Sequence, residues 1–225
     1  MDTRDYEPHS LVDVAYETLR KDIAERELLP GKKIVIRELH ERYGISETPI
    51  KQALNRLIAE GLVESIPRKG MKVRNIRWEE IEELMDIRYM IETHYVRAIL
   101  RGFMSDCNMK GRFLANLHDH IRVIENATGV NDYFQNYYLD QEFHKLFIKC
   151  SEKRRIMQIY NNLGTHIYAH YIYGKQGREE TLEGVREHQA IYDALLAQDE
   201  INLLNAIELH IVNAINKVRK NFSES

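Results

Sequence analysis

Four side chains in the later part of this 225-residue chain have the chemistry of metal ligands: Asp140, His144, His188 and His210. Asp140 and His144 stand four apart in Asp140-Gln141-Glu142-Phe143-His144, so on a helix both project from one face. His188 follows Glu187 amid Val185, Ile191 and Leu195, and His210 precedes Ile211 amid Ile207 and Ala214. Each therefore lies at or next to the apolar face of its helix. A histidine turned into a bundle interior needs a partner. Three imidazoles meeting one carboxylate make a nitrogen-rich site of the kind that suits zinc, although ligand type alone does not select the metal. The competing reading is that these are core histidines satisfied by hydrogen bonds. His9, His40, His118, His120, His166 and His170 fit ordinary exposed or hydrogen-bonded positions, and Tyr133, Phe134, Tyr137 and Tyr138 read as core. A metalloenzyme is the alternative chemistry, since an open metal position activates water, but the chain has no His-Glu-x-x-His run and no paired Glu-x-x-His set.

Three helices must carry those four side chains. From Trp78 onward the apolar spacing predicts six: about 78–103, 106–126, 131–149, 152–172, 180–197 and 199–220. Ile81, Leu84, Met85, Ile87, Ile91, Tyr95 and Ile99 mark the first, Phe113, Leu114, Leu117, Ile121 and Ile124 the second, and Gly129 breaks the pattern before the third. Short loops between them predict an antiparallel six-helix bundle. Asn75–Trp78 is a connector too short for a floppy tether, which places the division at residues 1–76 and 77–225.

The first part reads differently. Ser10 with Asp13 resembles a capping box and opens a helix with Leu11, Ala15, Tyr16, Leu19 and Ile23 on one face. Leu29-Pro30-Gly31 is a turn, Lys33–Ile36 a brief β-like run, and Arg37–Tyr43 a helix. Gly44 can close that helix in the left-handed conformation, Ser46 is suited to cap the next, and Pro49 falls in its first turn. Ile50, Ala53, Leu54, Leu57 and Ile58 then form one stripe, with Glu47, Thr48, Lys51, Gln52 and Asn55 off it, until Gly61. Leu62–Ile66 and Met71–Arg74 alternate like strands around the turn Pro67-Arg68-Lys69-Gly70. This order predicts a winged helix-turn-helix, so the fold class is mainly α with a small β wing. The formal net charge is −3, which excludes a generally basic nucleic-acid binder. Locally, Lys51, Arg56, Arg68, Lys69, Lys72 and Arg74 stand against Glu60 and Glu64, a surplus of four positive charges where phosphates would be met. Two unpaired cysteines, Cys107 and Cys150, an N-terminus without an apolar core, and no run of membrane-spanning length predict a cytoplasmic protein.

The run Leu29-Pro30-Gly31, Arg37-Glu38-Leu39, Tyr43-Gly44-Ile45-Ser46-Glu47-Thr48-Pro49-Ile50-Lys51-Gln52-Ala53-Leu54, Arg56-Leu57, Glu60-Gly61-Leu62-Val63-Glu64 and Arg68-Lys69-Gly70-Met71-Lys72-Val73 resembles the DNA-binding domain of GntR-type bacterial transcription regulators. The resemblance implies that Arg37, Ser46, Glu47, Thr48 and Lys51 touch bases and phosphates of double-stranded operator DNA. It implies that the wing around Lys69 and Gly70 enters the minor groove. Glu47 departs from the family, which carries arginine there, and this predicts an altered operator, because glutamate accepts from cytosine N4 where arginine forks onto guanine. Residues from about 78 to 220 resemble the helical effector domain of the FadR subfamily, called FCD, in its six-helix VanR-like branch. That resemblance assigns Asp140, His144, His188 and His210 to a divalent metal, zinc first and nickel or another ion next. It also turns Arg88 toward a small carboxylate effector, although Glu92 one turn on offers it a salt bridge instead. The implied protein is a homodimeric, ligand-responsive regulator, most simply a repressor, with metal sensing as the variant in which the ion itself is the signal.

Overall fold

The computed structural model describes residues 10–163 and 177–223, and the chain divides into two compact units, Met1–Ile76 and Arg77–Ser225. His9, His166, His170 and the later part of the helix predicted over 152–172 lie outside the described residues.

The first unit comprises α1 (Leu11–Ala24), β1 (Lys33–Ile34), α2 (Ile36–Tyr43), α3 (Glu47–Ala59), β2 (Val63–Ile66) and β3 (Gly70–Val73). Helix α1 starts where Ser10 Oγ accepts from the Asp13 backbone N–H and Asp13 Oδ2 accepts from the Ser10 N–H, both at 3.2 Å. Ala15, Tyr16, Leu19 and Ile23 are buried as their spacing requires, but Leu11 sits at the first helical position and is 59% exposed. Ile50, Ala53, Leu54 and Leu57 on α3 are fully buried against α1, each large side chain contributing about 1.5–3 kcal/mol. Polar contacts fix the same pair of helices. Tyr16 Oη donates to Glu60 at 2.9 Å, and Arg56 lies over the Tyr16 ring while bonding Asp13 at 2.8 Å. Arg56 therefore links α3 to α1 while its side chain stays 46% exposed.

Gly44 ends α2 at φ +66 and Gly61 follows α3 at φ +77, so both turns sit where glycine is favoured. The predicted hairpin supplies two strands of a three-stranded antiparallel sheet in the order β1-β3-β2, with β3 central and Lys72 opposite both Lys33 and Glu64. Buried Asp22 on α1 is paired by the Tyr43 hydroxyl and by Arg42 at 3.3 Å. Burial and the hydrogen bond to Asp22 push the Tyr43 phenol up, so it stays the donor. Tyr43→Phe should cost about 1–3 kcal/mol, because Asp22 keeps its burial and loses a donor. A chemical melt of the full chain checks this; an unchanged midpoint would show that the Arg42 pair alone suffices.

The second unit is helical throughout its described residues: α4 (Trp78–His94), α5 (Val96–Ser105), α6 (Met109–Asn126), α7 (Val130–Lys149), α8 (Arg154–Asn161), α9 (Arg178–Ala197) and α10 (Glu200–Ser223). The segment predicted as one helix over 78–103 breaks at Tyr95 (φ −95, ψ 8), which makes two helices of it, and the described residues of the unit hold seven helical pieces where spacing counted six. No glycine or proline signals the break; Thr93, Tyr95 and Val96 are weak helix formers. Helix α7 starts at Val130 because the Thr128 and Gly129 N–H groups both donate to Asp132. Helix α6 packs on α7 and α9, while α10 packs on α9 and α4. The layer between them is aromatic. Phe113 meets Phe103 and Phe143 edge-on at 5.8 and 5.1 Å and stacks on Tyr192 at 6.0 Å. Gly102 on α5 faces the Cys150 carbonyl so closely that a Cβ there would lie 1.8 Å from the oxygen.

Candidate metal centre and nucleic-acid face

Helices α7, α9 and α10 bring Asp140, His144, His188 and His210 to one point, with one ligand atom of each within 4.8 Å of the others. His144 Nε2 is 3.1 Å from both His188 Nε2 and His210 Nε2, and Asp140 Oδ1 is 3.4 Å from His188 Nε2. The three imidazoles are at most 4% exposed, whereas Asp140 keeps 24% of its side chain accessible.

The outer nitrogens explain the inner ones. His144 Nδ1 faces Glu92 Oε2 at 3.0 Å, and His210 Nδ1 faces Glu187 Oε2 at 2.8 Å. A carboxylate only accepts, so each Nδ1 carries the proton and each Nε2 presents a lone pair. His188 has no such partner and is held by stacking instead, on Phe143 at 4.1 Å and on His120 at 5.6 Å. Burial pulls His144 and His210 down and His188 to about 4, so all three stay neutral at pH 7. Burial alone would raise Asp140, but the hydrogen bond to His188 and the nearby His144 hold it well below the carboxylate range. Convergent lone pairs beside an ionised carboxylate repel one another unless a cation joins them. Ligand atoms at about 2.0–2.1 Å from a tetrahedral zinc stand roughly 3.3 Å apart; the His144–His188, His144–His210 and Asp140–His188 spacings match that, while Asp140 Oδ1 lies 4.0 Å from His144 Nε2. The carboxylate–histidine pairs are the outer-shell arrangement that orients metal-binding imidazoles.

Arg88 lies against the imidazole cluster. It is 1% exposed, gives Nε to Glu92 at 2.8 Å, and points Nη2 at His144 Nε2 (2.5 Å) and His210 Nε2 (3.3 Å). The salt bridge to Glu92 is present, and the guanidinium faces the imidazoles. The nearest cavity, of about 100 Å³, is lined by Asp140, His188, His210, His120, Asn136 and Lys217 among others, and Arg88 is not part of its wall. Spacing missed four supporting groups. Glu92 shows only as the residue one turn after Arg88. Glu187 was named beside His188 but serves His210 on the next helix. Tyr160 donates to Glu92 at 2.6 Å from α8, and buried His120 lies two residues from exposed His118 with no signal to separate them.

On the first unit Ser46, Glu47, Thr48, Lys51, Lys69 and Gly70 are all exposed. Ser46 takes the N-cap position of α3 (φ −62, ψ 157), but its hydroxyl makes no capping hydrogen bond, so the expected cap is positional only. The α3 N-terminus thereby keeps its N–H groups toward solvent, where a phosphate is favoured. Glu47 and Lys51 pair at 2.7 Å across one turn, and Arg37, 82% exposed, pairs with Glu41 at 3.0 Å. Lys69 and Gly70 form the tip of the wing, with Arg68 at φ +65 and Gly70 at φ +94.

A three-stranded winged helix-turn-helix followed by a helical unit with an internal ligand-type site defines a DNA-binding transcription regulator rather than an enzyme. Residues 11–73 match the bacterial regulatory proteins of the gntR family and residues 83–213 match the FCD domain. The chain belongs to the GntR family, with an FCD domain as its second part. It is 25% identical over 219 residues to the uncharacterised HTH-type regulator BphR of Paraburkholderia xenovorans, covering 94% of this chain and 86% of that one. It is also 25% identical over 208 residues to the HTH-type transcriptional repressor RspR of Escherichia coli, covering 91% and 87%. Among solved structures, McbR of Escherichia coli shares the fold at TM-score 0.69 and 19% identity, over 95% of this chain and 99% of that one. No helix among the described residues is long and apolar enough to cross a membrane.

Proposed function

We propose that this regulator is a homodimeric repressor whose operator affinity is set by a divalent metal, zinc first, and a small organic acid in the second unit. Asp140, His144, His188 and His210 would hold the ion, which would act as a Lewis acid for an anionic ligand. One observation carries the reading: three imidazoles turn Nε2 on one buried point while carboxylates fix two of them from behind. His144 Nε2 has a single lone pair, taken either by Arg88 or by a metal. The N–H of Arg88 thus released is the donor we assign to an effector carboxylate. Two half-sites about one helical turn apart require two reader helices, hence the dimer. Coupling of about 1–3 kcal/mol between the sites gives a switch of roughly 5–150-fold.

Gel shifts on the operator, with zinc-loaded and chelated protein and with organic-acid pools, test this. Loss of ligand response on chelation is expected; an affinity indifferent to both metal and acids would leave a constitutive DNA binder. Metal sensing is the second reading, favoured by a cavity of only about 100 Å³. Operator affinity titrated against free zinc without any acid separates the two.

Ser46, Glu47, Thr48, Lys51 and Arg37 read the operator in this proposal, with Lys69 and Gly70 at the minor groove. Lys51 must release Glu47 to reach a phosphate. Glu47→Arg removes that pair and supplies a guanine fork, so selection from randomised duplexes should shift one position per half-site toward G, by about 1–3 kcal/mol. An unchanged preference would show that Glu47 faces away from the bases.

A further inference from the structure

Two of the three imidazoles at the proposed metal set have a carboxylate behind them, Glu92 for His144 and Glu187 for His210. Among the described residues none stands behind His188, whose Nδ1 has no hydrogen-bond partner. An imidazole without an outer partner is free to turn about its Cβ–Cγ bond and lose its aim. Yet His188 is 1% exposed and holds Nε2 at 3.4 Å from Asp140 Oδ1 and 3.1 Å from His144 Nε2. What restrains it lies against its ring face. Phe143 stacks on it at 4.1 Å and 6°, and His120 at 5.6 Å and 13°, so the three rings are nearly parallel.

Both neighbours are themselves held. Phe143 is fully buried and meets Phe113 edge-on at 5.1 Å. His120, on α6, is 2% exposed, and its Nε2–H donates to the carbonyl of Asn136, one turn before Asp140 on α7, at 2.8 Å. Asn116, one turn earlier on α6, donates to the Leu139 carbonyl at 2.9 Å. Helix α6 is thus anchored on α7 along the turn that leads to Asp140, and a ring anchored there lies against a ligand supplied by α9. We propose that His120 is a positioning residue for His188: its ring face sets the plane of that imidazole, as Glu92 and Glu187 set the other two. The proposal deepens the metal reading and rests on it. It makes α6, which supplies no ligand, part of what shapes the site.

Two substitutions separate the ring from its hydrogen bond. His120→Phe keeps the face and loses the donor; His120→Asn keeps a donor for the Asn136 carbonyl and loses the face. Zinc affinity of the full chain is measured at pH 7 by competition against a chelator. The ligand-field spectrum of the cobalt-loaded chain reads the geometry around the ion. His120→Asn should bind zinc about tenfold more weakly, the low end for loss of an outer-shell partner, and shift the cobalt bands. His120→Phe should stay within about threefold of the unaltered protein and keep the bands. Equal loss in both variants overturns the proposal, because the hydrogen bond to α7 would then be what counts. Weaker binding by His120→Asn with unmoved bands overturns it too, being a loss of stability alone, as does an unchanged affinity in that variant. An unaltered chain that binds neither zinc nor cobalt removes the metal reading, and this proposal with it.

Discussion

Replacing Glu92 with alanine should weaken zinc binding about 10–100-fold although no ligand atom is touched. Glu92 is fully buried and spends its two oxygens on His144 Nδ1, Arg88 Nε and the Tyr160 hydroxyl. Without it His144 is free to place its proton on Nε2, the atom a metal needs bare. Stability should fall too, by about 3–5 kcal/mol, because the Arg88 guanidinium stays buried without its carboxylate. Burial opposes the ionised form, but His144 and Arg88 hold the Glu92 carboxyl far below its ordinary value of 4.5. Its folded value is depressed, so this stabilisation is full above about pH 4.5 and declines as the pH falls below it. Competition against a chromophoric chelator measures the first effect, and a urea melt of the metal-free chain at pH 7 and pH 4 the second. Zinc affinity within threefold of the unaltered protein would mean that stacking on neighbouring rings, not Glu92, orients His144.

Gly102→Ala should destabilise the helical unit by about 1–3 kcal/mol or more. Two effects compete. Alanine favours an α-helix over glycine by about 1 kcal/mol, and α5 would gain it. Against that, the new Cβ would meet the Cys150 carbonyl oxygen at 1.8 Å, half an ordinary contact distance, and a backbone carbonyl at the end of α7 has no rotamer to yield. Either α5 moves away from α7 or the turn after Lys149 opens, and overpacking of this kind outweighs the propensity term. The melting temperature of the zinc-free chain is the measurement; an increase would show that the two helices separate at little cost.

The winged unit was legible because its turns demand particular residues. Gly44 and Gly61 sit at positive φ, and a stripe of Ile50, Ala53, Leu54 and Leu57 has only one way to be buried. The four ligand-type side chains were legible in part: a spacing of four put Asp140 and His144 on one face, but only the fold brings α9 and α10 against α7. What stayed hidden is what depends on neighbours rather than on local order. Leu11 belongs to the apolar stripe by spacing, yet it precedes the point where another element covers α1. Arg56 reads as a phosphate cation by position, and only the fold shows its contacts to Asp13 and Tyr16. His118 and His120 have the same chemistry on paper, and only packing decides which is exposed.

Arg88 carries one last consequence, for the charge inside the helical unit. A cluster of imidazoles and carboxylates normally waits for an ion from outside before its helices can close. Here Nη2 already rests on two of the imidazoles, and the guanidinium balances Glu92. The polypeptide thus carries a positive charge of its own into the interior, against the same nitrogens that an ion would need.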